Sequence, residues 1–74
     1  MKTITLTAVL EKEGDDYVAL CPEIDVASQG QSVEEALANL KEAVGLFMEC
    51  ASEKEIQERL HSEVFITRFE TQYA

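Results

Sequence analysis

Ser32-Val33-Glu34-Glu35-Ala36-Leu37-Ala38-Asn39-Leu40-Lys41-Glu42-Ala43-Val44-Gly45-Leu46-Phe47-Met48 is the stretch that decides the fold. Ser32 and Glu35 have the spacing of a capping box, in which hydroxyl and carboxylate reciprocally satisfy backbone N–H groups, so a helix starts there. At about 100° per residue, Val33, Ala36, Leu37, Leu40, Ala43, Val44, Phe47, Met48 and Ala51 fall within an arc of about 140°. A stripe of that width belongs to a helix lying on a sheet. The opposite side carries Glu34, Glu35, Asn39, Lys41, Glu42 and Glu49, interrupted by Ala38, Gly45 and Leu46. Glycine in mid-helix costs about 1 kcal/mol relative to alanine, and Leu46 is out of place on a solvated face, so this spot is a candidate contact.

The sheet for that helix is read upstream. From Lys2 to Glu11, Ile4, Leu6, Ala8 and Leu10 alternate with Thr3, Thr5, Thr7 and Val9, a period of two in residues that favour strands. Glu13-Gly14-Asp15-Asp16 supplies a turn, and Tyr17 to Cys21 returns as the second strand of an antiparallel hairpin. Pro22 cannot donate to a ladder and ends that strand; Val26 to Gln29 forms a short third one that stops at Gly30. Downstream, Ser52 and Glu55 repeat the capping spacing, so Glu53 to His61 either prolongs the helix or starts a second, with Glu55 and Arg59 placed as an i,i+4 pair. Val64-Phe65-Ile66-Thr67-Arg68-Phe69 then restores the period of two and predicts a last strand. The expected fold class is α+β: a β-β-β-α-β core, one helix packed on an antiparallel sheet, in a single domain spanning residues 1–74.

Both sides of the last strand are apolar, Val64 and Ile66 facing one way and Phe65 and Phe69 the other. The same holds for Tyr17, Ala19 and Cys21 against Val18 and Leu20. One helix covers one sheet face, so the other needs a cover that a short chain does not provide, and a homodimer or higher homo-oligomer is expected. Phe65, Phe69 and Leu46 are the candidate self-association residues.

Fifteen acidic and six basic side chains leave a net charge of −9, while a hydrophobic content of 46% separates the chain from acidic disordered tails. That balance disfavours phosphate binding, which needs clustered cations, and favours a basic partner. Asp15, Asp16, Glu23 and Asp25, in the turns at the strand ends, are the candidate residues for steering it. Cys21 and Cys50 lack the paired spacing of a zinc site and the density of a secreted disulfide scaffold, so two reduced thiols are expected. Met1-Lys2-Thr3-Ile4 enters directly into alternation without the charged and apolar regions of a signal peptide, and no apolar run reaches bilayer length; a cytoplasmic location is expected. His61, the one histidine, has no nucleophile suggested by local sequence, and Gly14, Gly30 and Gly45 are too widely spaced for a phosphate loop. The expectation is a binding module rather than an enzyme, with no metal and no cofactor. A metal-dependent nuclease built on Asp15, Asp16 or Asp25 is the enzymatic alternative.

Two segments, Ala19-Leu20-Cys21-Pro22-Glu23-Ile24-Asp25-Val26-Ala27-Ser28-Gln29-Gly30 and Ser32-Val33-Glu34-Glu35-Ala36-Leu37-Ala38-Asn39-Leu40-Lys41-Glu42-Ala43, resemble the HicB-like antitoxins of toxin–antitoxin systems. The likeness spans roughly residues 2–70. It implies a partial ribonuclease H-like fold without catalytic carboxylates, and a function: binding and inhibiting a small basic HicA-type toxin that cleaves messenger RNA, by occluding its active site. Many members of the family add a C-terminal DNA-binding domain, which does not follow the last strand here, so direct DNA binding by this chain alone is not expected. Relatives often have Pro-Gly-Cys where this chain has Asp25-Val26-Ala27, so contacts of that loop do not carry over. An orphan regulatory or structural module without a toxin is the alternative within the same fold.

Overall fold

A computed structural model describes residues 3–61 and 63–74. The order is β1 (Val9–Glu13), β2 (Asp16–Cys21), β3 (Val26–Gly30), α1 (Val33–Cys50) and α2 (Glu53–Arg59). The strands form one antiparallel sheet in the order β1-β2-β3. Gly14 and Asp15 join β1 to β2, with Glu13 paired to Asp16. Gly14 sits at φ +62, the left-handed value that the first position of a tight hairpin turn demands and that glycine reaches without penalty. Asp25 closes the β2–β3 turn at φ 55, a region aspartate tolerates better than most side chains.

Register assigns the faces. Leu10 lies opposite Ala19, and Ala19 opposite Ser28. That face meets α1, which lies mainly across β3 and β2. The buried core is small: Ala19, Cys21 and Ile24 below, Ala36 and Leu40 of α1 above, with Leu6, Leu10, Val44, Phe47 and Leu60 packed around them. The helical stripe predicted from the sequence is therefore the buried one, except that Val33, at its start, is 42% exposed.

Gly30 is a packing requirement. A Cβ there would stand 2.6 Å from the Ala36 nitrogen and 2.9 Å from the Glu35 carbonyl carbon, so the end of β3 and the first turn of α1 approach as closely as they do because no side chain intervenes. The α1 cap is a variant of the expected box: Ser32 Oγ accepts from the Glu35 N–H, but the Glu35 carboxylate accepts from the N–H of Gln31, one residue further back. At Ser52 both halves are present, and they start a separate second helix.

Three expectations are corrected. Of the first expected strand, Lys2 lies outside the described residues and the ladder begins only at Val9; β2 ends at Cys21 and Pro22 turns away, leaving residues 3–7 without a strand opposite them. The expected strand Val64–Phe69 is not a strand; residues 63–74 carry neither helix nor strand and form a C-terminal arm. A period-two pattern supplies side chains for a strand, but the ladder needs a partner, and among the described residues none pairs with the arm. Finally, the ion pair on α2 joins Lys54 to Glu58 at 4.0 Å, whereas Glu55 is engaged in the cap and Arg59 turns to backbone carbonyls.

Candidate functional site

The face of the sheet turned away from α1 is bare. Val9, Leu20 and Ala27 lie side by side across the three strands, and Glu11, Val18 and Gln29 form the next row. Glu13 and Asp16 form the row beyond, at the hairpin end. This face thus has an apolar half around Leu20, which is 39% exposed, and an acidic half made by Glu11, Glu13 and Asp16. Like charges directly opposite each other, as at Glu13 and Asp16, are unfavourable in a free sheet by roughly 0.2–1 kcal/mol. A cation laid across them removes that penalty.

The four acidic residues singled out from the sequence do not share one place. Asp15 and Asp16 sit at the hairpin tip; Glu23 and Asp25 sit in the β2–β3 turn at the opposite end of β2, a separation of roughly 20 Å for a six-residue strand. Asp16 instead shares a shallow polar depression with Gln29, Gln31 and Glu35. The Tyr17–Gly30 register explains this neighbour, since Gly30 brings the first turn of α1 beside the start of β2. Glu11 and Glu13 were not singled out from the sequence; their parity with Val9 on β1 was the available signal.

The β2–β3 corner is a structural knot. Glu23 accepts from the Thr7 N–H at 3.1 and 3.0 Å through its two oxygens and from the Thr7 hydroxyl at 2.6 Å. Its carboxylate therefore takes the place of a missing ladder partner and anchors the segment before β1. The Cys21 thiol lies 3.5 Å from the same carboxylate. Burial pushes the Glu23 pKa upward, but the Thr7 hydroxyl and amide outweigh it and hold the group below its ordinary value. Cys21 moves the other way: burial first, then its bond to Glu23, raise its pKa, so it is held as a thiol with little nucleophilic character. Arg59 donates to the Ile24 carbonyl at 2.7 and 3.2 Å and to the Asp25 carbonyl at 3.1 Å, while its guanidinium stands 5.1 Å from the centre of the Phe47 ring. The His61 amide donates to the Glu23 carbonyl at 2.8 Å. His61 Nε2 lies 3.3 Å from an Asp25 carboxylate oxygen.

Cys50 is exposed, and both cysteines are free thiols. Leu46 is 54% exposed on the outer side of α1, and Phe65 and Phe69 are each 86% exposed on the arm. Among the described residues, no three His, Cys, Asp or Glu side chains converge as metal ligands, and no helix is long and apolar enough to cross a membrane.

Fold and face together define a small α+β domain whose sheet is covered by α1 on one face and, among the described residues, open on the other. Among curated proteins, the chain is similar to a UPF0150 protein of Helicobacter pylori (strain J99 / ATCC 700824), with 46% identity over 44 residues. The match takes in 58% of this chain and 61% of the relative, so the chain spans about three-fifths of that protein's length. No protein-family model matches the chain. No solved structure matches it either.

Proposed function

We propose that this chain is an antitoxin-like, non-enzymatic protein of the cytoplasm that binds a small basic HicA-type ribonuclease and blocks its access to messenger RNA. The observation that carries the reading is the bare sheet face, where an apolar half around Leu20 adjoins Glu11, Glu13 and Asp16. Such a face suits a basic RNA-binding surface: the carboxylates attract and orient it, and the apolar half supplies buried contact area. The likeness to a UPF0150 protein supports the HicB-like resemblance, UPF0150 being a HicB-like family. Glu23 has no part in this contact, since its carboxylate is occupied by Thr7 and Cys21. The chain acts as a homodimer in this reading, its helix side used for self-association and its bare face left for the toxin.

The test is an RNA-cleavage assay with a HicA-type ribonuclease, with and without the chain. Inhibition at stoichiometric amounts is expected, weakening as salt rises. A Glu11→Lys, Asp16→Lys double variant should inhibit at least about tenfold less well while remaining folded. Equal inhibition by wild type and variant, or none by either, would overturn the reading.

A further inference from the structure

The C-terminal arm does not belong to the body it leaves. Phe65 and Phe69 are 86% exposed, Tyr73 is 96% exposed and Ile66 58%. The molecule measures 48 × 27 × 17 Å and its radius of gyration is 14.3 Å, against about 11 Å for a compact chain of this length. Its accessible surface is 6371 Å², whereas a compact chain of 8.3 kDa has about 4,600 Å². The excess, near 1,800 Å², is about twice what each partner contributes to a standard stable interface.

A receptor for such an arm is present on the same molecule. Residues 3–7 lack a strand opposite them. Between them and α1 runs an open groove of about 380 Å³, lined by Ile4, Leu6, Leu40, Val44 and Gly45 among others. Gly45 carries a mid-helix cost with no internal reason, because a Cβ there meets nothing within 4 Å. The absent side chain leaves the groove open. A strand added beside residues 3–7 would direct every second side chain into it, and the arm has apolar residues at both parities. The arm also leaves its own body next to Ile4, Thr5 and Leu6, which line a second depression with Val64 and Phe65. A two-fold axis near these residues lets two copies exchange arms at once, as a closed isologous interface requires.

We propose that the occupant is a second copy of this chain: in the dimer, each copy lays residues 64–73 along residues 3–7 of the other and seats its apolar side chains in the groove beside Gly45. The proposal deepens the homodimer named above and assigns it to an exchange of arms. It leaves the bare sheet face free.

Complementation in the ultracentrifuge tests this. One full-length variant carries Phe65→Glu and Phe69→Glu, spoiling the arm; another carries Gly45→Trp, filling the groove. None of the substituted residues belongs to the buried core. Wild type should sediment as a dimer at micromolar concentration, and each variant alone should dimerise at least about 30-fold more weakly, the loss expected for central aromatic anchors. An equimolar mixture should recover a heterodimer, because one of its two arm–groove contacts is intact. Hydrogen exchange on wild type gives a second readout: amides of residues 64–69 should be protected at dimer concentrations and lose protection on dilution. A monomeric wild type, an arm variant that dimerises as wild type does, a mixture that recovers nothing, or an arm that folds back and is protected in the monomer would each overturn the exchange. None of these measurements contains a ribonuclease, so their outcome is independent of the toxin reading.

Discussion

The β2–β3 corner and the C-terminal arm are built from similar proportions of apolar and polar residues, yet one is over-tied and the other untied. At the corner, Ile24 is fully buried, and its carbonyl, those of its two neighbours and the Glu23 carboxylate all have donors reaching them from Thr7, Arg59 or His61. On the arm, three aromatic rings stand in solvent and the backbone has no ladder. The difference lies in what surrounds the residues rather than in their own nature. A hydrophobic side chain stabilises a fold only when another surface removes it from water, and the corner has such surfaces: Ala19 and Cys21 of the sheet, Ala36 and Leu40 of α1, and Leu60 just past α2.

The corner is most vulnerable at Ile24. Ile24→Ala removes the largest fully buried side chain among the described residues and should cost about 2–5 kcal/mol. That approaches the whole of what the core of a chain this size supplies, roughly 3–5 kcal/mol, so the circular dichroism of the variant should be that of an unfolded chain at 37 °C. A native spectrum would mean that the corner is not where stability resides.

Glu23→Gln sharpens the contrast at intermediate cost. It keeps the shape and removes the charge that Thr7 serves, and about 1 kcal/mol should be lost at neutral pH. The pH dependence has a definite sign. Because the folded-state pKa of Glu23 is lowered, its contribution is complete above the unfolded carboxylate value and is lost as pH falls through the lower folded one. The gap between wild-type and variant urea midpoints should therefore be widest near neutrality and close on acidification. A gap constant with pH would show that the Thr7 contact does not depend on the charge.

The smallest effect is expected on the arm. Phe69→Ser should shift the unfolding free energy of the dilute, monomeric chain by less than about 0.5 kcal/mol, as for surface substitutions elsewhere, although it removes an aromatic ring that would cost several times more in a core. Urea titration at low and high protein concentration checks this, and a large loss in the dilute limit would mean that the arm folds onto its own body.

Local pattern made much of this fold legible. Ser32 and Ser52 announced both helix starts through their spacing to Glu35 and Glu55; Gly14 and Pro22 announced the turns that separate the strands. The apolar period of α1 identified Ala36 and Leu40 as core before any partner was in view. The candidate site was less legible. Asp16 was a candidate from the sequence, whereas Glu11 and Glu13 became candidates only when the register placed them beside Val18 and opposite Asp16. Glu23 was read as a surface charge, because nothing in Pro22-Glu23-Ile24-Asp25 tells that Thr7, sixteen residues earlier, will bring both its amide and its hydroxyl to that carboxylate. Arg59 was likewise assigned to Glu55, its neighbour one helical turn away, and went instead to carbonyls 34 and 35 residues distant.

By itself, the sequence determined where chain direction changes, which residues cap the helices, which face of α1 is apolar and that the net charge is −9. All are consequences of interactions within a few residues, or of simple counting. Only the tertiary structure decided that residues 64–69 have no ladder, that Glu23 is an anchor and that the carboxylates divide between two ends of β2. The physical reason is that a strand, an anchored carboxylate or an open sheet face is defined by groups on other segments. Period two in Val64 to Phe69 states what a strand laid beside it would find there, and no ladder is formed with it among the described residues.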